Sequence, residues 1–123
     1  MNFRYSDIYV AIATDDIAAL HDFYSKLLGQ QADVYRPSVY AEFRLEQLRI
    51  AIFKPKAQNK SEFANINSSF SLCLEVENLD ETIALLVELG YSPPGEVIEA
   101  SHGKEIYAYD PAGNRLILHQ PKT

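Results

Sequence analysis

Two stretches of this chain follow one plan. Residues 7–29 read DIYVAIATDDIAALHDFYSKLLG, and residues 69–90 read SFSLCLEVENLDETIALLVELG. Each opens on alternating apolar and polar residues, passes an Asp or Asn, takes up helical spacing and stops at Leu-Gly. A period of two marks a strand with one face toward a core; a period of 3.6 marks an amphipathic helix. A chain that repeats this order must build the same strand–helix unit twice, which excludes an all-helical or an all-β fold.

In the first half, Ile8, Val10 and Ile12 alternate with Tyr9, Ala11 and Ala13. Asp15 or Asp16 is placed to cap a helix carrying Ile17, Leu20, Tyr24, Leu27 and Leu28, and Gly29 suits its C-terminal exit. Strands are expected at 31–36, 38–45 and 48–54, with Glu46-Gln47 turning between the last two. In the second half, Leu72, Leu74 and Val76 alternate with Ser71, Cys73 and Glu75. Asn78 and Glu81 resemble a capping box ahead of Leu79, Ile83, Leu86 and Leu89. Strands are expected at 93–100, 104–109 and 115–120. Before the last of these, Asp110-Pro111-Ala112-Gly113-Asn114 reverses the chain, because Pro111 presets its φ and Gly113 tolerates a positive one.

The stretch KPKAQNKSEFANINSS between the halves is polar and aperiodic and reads as a connecting loop. The order βαβββ therefore occurs twice, in modules of about residues 5–54 and 69–121 joined by a linker at 55–68. The fold class is α+β: two paired βαβββ modules forming a curved mixed sheet with helices on the convex face. At 123 residues the expectation is a single domain.

A net charge of -6 argues against nonspecific nucleic-acid binding, which needs a basic surface. No run approaches the ~20 apolar residues of a membrane span, and the N-terminal stretch lacks the apolar region of a signal peptide. The single cysteine, Cys73, cannot form an internal disulfide and suits a reducing cytoplasm, the expected location.

The strand–helix with Phe23-Tyr24 ahead of Leu28-Gly29, and the turn DPAGNRLIL near the end, resemble the vicinal oxygen chelate superfamily, which includes glyoxalase I, extradiol dioxygenases and bleomycin resistance proteins. The resemblance covers nearly the whole chain. Metal enzymes of that family place one ligand on the first and last strand of each module. Carried over strand by strand, those positions are Tyr9, Ala51, Ser71 and Ile117, where active relatives usually have glutamate at the last. Alanine and isoleucine have no donor atom, and hydroxyl groups are poor ligands for a divalent transition ion beside imidazole or carboxylate.

The resemblance thus implies a metal-free small-molecule-binding protein similar to the drug-sequestering branch, with no cofactor. Its ligand, cationic or aromatic, would lie in the concave sheet or the groove of a homodimer, with no nucleic acid or membrane as partner. Two alternatives stand beside it. One is a lyase, isomerase or dioxygenase of the same family using Ni, Zn, Mn or Fe on displaced ligands such as Asp7, Glu75 and His119. The other is a partner-binding regulatory module.

If the helices cover Ile8, Val10, Ile12, Leu72, Leu74, Val76, Leu116 and Leu118, the opposite parity lines the cavity. That face carries Asp7, Ser71, Cys73, Arg115 and Ile117, together with Tyr40, Glu42, Arg44 and Glu105. The ligand-binding candidates are Tyr9, Arg49, Glu75, Tyr107, Tyr109 and His119 on the strands, and His102 in a loop over them. No catalytic residue and no metal ligand is assigned. His119, just ahead of Gln120-Pro121, is expected to be solvent-exposed, and His21 to be a surface residue of its helix. Glu75 is expected to pair with Arg44, Arg49 or Arg115, and Cys73 to fill space rather than react.

Overall fold

The computed structural model describes residues 3, 4, 6–64 and 68–122. Tyr5, at the head of the expected first module, and residues 65–67 of the expected linker lie outside the described residues. The chain divides into two compact units, residues 1–63 and 64–123.

The first unit runs β1 (Val10–Ala13), α1 (Ile17–Leu28), β2 (Val34–Arg36), β3 (Tyr40–Arg44) and β4 (Arg49–Phe53), then a 3₁₀ helix over Ala57–Phe63. The second runs β5 (Leu72–Glu75), α2 (Leu79–Leu89), β6 (Ile98–Ala100), β7 (Gly103–Tyr109) and β8 (Arg115–Pro121). Both units are βαβββ, and the class is α+β. The strand orders match: β1-β4-β3-β2 and β5-β8-β7-β6. In each, the strand before the helix pairs in parallel with the last strand, and the remaining pairs are antiparallel.

The helices begin and end where their chemistry dictates. Asp16 Oδ1 accepts from the Ala19 amide at 3.1 Å, and Asn78 Oδ1 accepts from the Glu81 amide at 3.0 Å. Each satisfies one amide that the first turn would leave without a partner. At the other ends Gly29 and Gly90 take φ values of 67° and 91°, the left-handed conformation that closes a helix. Gln120 Oε1 accepts from the Leu79 amide at 2.8 Å and so fastens the head of α2 to β8.

The first core is built by Ile17, Leu20, Phe23 and Tyr24 of α1 against Ala41, Phe43, Ile50 and Ile52, all buried. In the second unit α2 sets Leu79 and Leu86 beside β8, where Leu116 and Leu118 are buried with Ala108. Each such aliphatic side chain stabilises the fold by roughly 1.5–3 kcal/mol. Between β7 and β8 the Asp110 carboxylate accepts from the amides of Ala112 and Asn114, both at 2.9 Å, and from the Asn114 side-chain amide. Gly113 adopts φ 86° in that turn.

Some boundaries differ from expectation. The first strand starts at Val10, and Ile8 and Val10 are 76% and 37% exposed rather than covered by α1. The reason is topological: α1 packs on β3 and β4, and β1 lies at the sheet edge. Leu72, Leu74 and Val76 are half-buried for the same reason at the edge strand β5. The expected loop contains a 3₁₀ helix whose residues are all exposed. Among the described residues no helix is long and apolar enough to cross a membrane.

Candidate functional site

The site residues expected from sequence fall into two groups, one in each unit. In the first unit the Arg49 guanidinium lies 4.1 Å from the centre of the Tyr9 ring and pairs with Asp7. Its other nitrogen stands 3.6 Å from Glu42 Oε1. Glu42 is the hub of this group. Register places it beside Ala51, which is itself paired with Ala11, so small side chains flank the carboxylate. Glu42 is 4% exposed, yet both oxygens are engaged: the Tyr40 hydroxyl donates to Oε1 and Arg44 Nε donates to Oε2, each at 2.6 Å. These two bonds, the tyrosine's first, hold its carboxyl below the usual value. Burial and the same bond push the Tyr40 hydroxyl up.

In the second unit, Glu75, His119 and Glu105 stand side by side across β5, β8 and β7. His119 Nδ1 lies 2.8 Å from Glu75 Oε2, and His119 Nε2 lies 2.9 Å from His102 Nδ1. An ionised carboxylate only accepts, so Nδ1 of His119 carries the proton. Tyr107 and Tyr109 continue the same face, opposite Ile117 and Arg115, and are 41% and 38% exposed. His102 sits exposed in the turn ahead of β7, as expected.

Three sequence expectations are corrected. His119 is not solvent-exposed: its side chain is 14% exposed, because Glu75 and His102 close on it from two sides. Glu75 pairs with that histidine rather than an arginine. Arg44 and Arg49 turn to Glu42, and Arg115 bonds Ser71 and the carbonyls of Ser68 and Phe70. His21 is not a free surface residue, since its ring stacks on Tyr35 at 3.7 Å and its side chain is 18% exposed. An open cleft of about 410 Å³ lies elsewhere in the first unit, lined by Phe53, Lys56, Asn59 and Phe63 among others, and none of the expected site residues lines it.

The model of the glyoxalase-like domain family matches residues 9–119. The chain belongs to that family. Its fold is that of the vicinal oxygen chelate superfamily, and solved structures agree. A glyoxalase/bleomycin resistance protein from Catenulispora acidiphila is 20% identical, with a TM-score of 0.67 over 94% of this chain and 98% of that one. A bleomycin-binding protein complexed with bleomycin is 19% identical, with a TM-score of 0.65 over 96% and 100%. The fosfomycin resistance protein FosX from Mesorhizobium loti is 15% identical, with a TM-score of 0.71 over 98% and 95%. No curated protein matches the chain by sequence.

The four positions at which this glyoxalase-like domain would hold the superfamily's metal do not fit an ion. Tyr9 lies against a guanidinium, and Ala51 and Ile117 offer no donor. The Ser71 hydroxyl is taken by Arg115 Nε at 2.7 Å. Two residues outside the expected ligand set prove central, Glu42 and Glu105. Hairpin arithmetic gives both positions. A turn at Glu46-Gln47 pairs Arg44 with Arg49 and hence Glu42 with Ala51. The turn at 110–114 pairs Tyr109 with Arg115 and hence Glu105 with His119.

Proposed function

We propose that this glyoxalase-like domain binds a small, flat, cationic or aromatic molecule without a metal at the four family positions, as a cytoplasmic homodimer. The observation that carries the reading is the face of the second unit. Tyr107 and Tyr109 stand exposed there, with the carboxylates of Glu75 and Glu105 on the neighbouring row. Tyrosine faces stack on flat rings, and carboxylates favour a positive charge beside them. Tyr9 and Arg49 give the first unit a second aromatic and charged surface. The likeness to a bleomycin-binding protein supports a binding role on this fold. The free, exposed thiol of Cys73 suits a reducing compartment. Exposed Val97 and Ile98 at the edge strand β6 favour pairing of two copies.

Calorimetric screening of cationic aromatic compounds in the presence of a chelator tests this reading. A saturable binder that loses affinity in Tyr107→Ala supports it. A screen without any binder counts against it.

A further inference from the structure

Glu75, His119 and Glu105 form one row across three strands, and His102 reaches into it from the turn ahead of β7. His102, Glu105 and His119 each present a ligand atom, and these atoms lie within 4.8 Å of one another. Donors on a single tetrahedral zinc-class ion, at about 2.0–2.2 Å from it, stand roughly 3.3 Å apart. The two imidazole nitrogens, 2.9 Å apart, are already close to that spacing. Glu105 offers its carboxylate within 4.8 Å of the imidazole donors, and the two rings turn from each other toward the ion as it enters.

A second observation points the same way. Glu75 accepts a hydrogen bond from the Nδ1–H of His119, which leaves the Nε2 lone pair turned toward His102. A carboxylate behind an imidazole is the usual means by which proteins fix a metal-binding histidine in tautomer and orientation. A third observation concerns Gly103. Its φ is 143°, and a Cβ there would run into the Gln120 carbonyl oxygen and come within 3.1 Å of His119 Nε2. The backbone beside the imidazole has room for no side chain.

We propose that His102 Nδ1, Glu105 and His119 Nε2 bind one divalent transition ion of the zinc or nickel class, with Glu75 positioning His119. On binding, the proton shared between the two imidazoles leaves Nδ1 of His102, and that ring carries its proton on Nε2. Two imidazoles and one carboxylate leave at least one coordination position for water or an oxygen-donor ligand. The site shares no residue with Tyr9, Ala51, Ser71 and Ile117. It goes beyond the ligand-binding reading, which needs no ion: binding under chelator reads the one, and metal uptake reads the other.

The test is titration of the chelator-stripped full chain with Co(II), followed by its visible absorption bands, with Zn(II) as competitor. The expected result is one equivalent of ion, displaced by zinc. His102→Ala and Glu105→Gln each lower affinity at least about tenfold, and Glu75→Gln lowers it by about 10- to 100-fold. His102 is exposed in a turn, so its variant keeps the parent melting temperature and separates lost binding from lost fold. Uptake well below one equivalent overturns the proposal. So does parent-like affinity in either His102→Ala or Glu105→Gln.

Discussion

His119 of β8 donates its Nδ1 proton to Glu75 of the parallel strand β5 at 2.8 Å. The two residues are register partners, so the bond forms between adjacent side chains on one face. It fixes an imidazole whose second nitrogen meets His102. Glu75→Ala should therefore release the ring. Nitrogen-resolved NMR of the histidines should show the His119 tautomer becoming mixed, with a stability loss of about 0.5–1.5 kcal/mol for the lost bond. An unchanged His119 spectrum would contradict the assignment.

Glu42 makes the first unit acid-sensitive. Its carboxyl is held below the ordinary value of 4.5 by the Tyr40 and Arg44 bonds. A group whose folded value is depressed contributes stability that is complete above its unfolded value and fades as pH falls toward the folded one. Parent protein should thus exceed Glu42→Gln in stability near neutrality, by about 1–3 kcal/mol for a buried hydrogen-bonded carboxylate. The gap should narrow below about pH 4.5. Urea unfolding at a series of pH values reads both curves, and a constant gap would refute the account.

Gly103 and Gly29 both have positive φ, but their surroundings differ. A Cβ at Gly29 meets open space, whereas one at Gly103 meets the Gln120 carbonyl oxygen. Gly29→Ala should cost about 1 kcal/mol of backbone preference. Gly103→Ala should cost that plus the displacement of β8, and melt lower. Equal melting temperatures would show that the strand gives way freely.

Cys73 is exposed rather than filling space as expected. Its thiol is nonetheless only partly solvated, and it is pushed up first by that desolvation, then by the carboxylates of Glu75 and Glu105. A raised value means less thiolate at a given pH, hence slow alkylation. Iodoacetamide should modify native Cys73 more slowly than the unfolded chain at pH 8, and Glu105→Gln should quicken the native reaction. A native rate at or above the unfolded one would contradict this.

Much of the architecture was legible because alternation and helical spacing are properties of the chain itself. Ile17, Leu20 and Tyr24, or Leu116 and Leu118, declare their buried faces. What alternation does not carry is which strand is central. Ile8 and Val10 have the pattern of core residues, yet the strand that follows Ile8 and contains Val10 is an edge, and both are exposed. The exposed 3₁₀ helix has no apolar face and so leaves no period to read. Tyr107 and Tyr109 were readable as the exposed face of a strand. The enclosure of His119 was not, since it depends on His102, seventeen residues away, turning back toward it.

The central claim is ligand binding without a metal at the family's positions, and isothermal calorimetry in excess chelator tests it most directly. The parent chain and Tyr107→Ala are titrated with the best cationic aromatic from the screen. The account predicts saturable binding to the parent with chelator present, weakened by about 1–3 kcal/mol when the stacking ring is lost. Binding that vanishes with chelator, or that is indifferent to Tyr107, would contradict it.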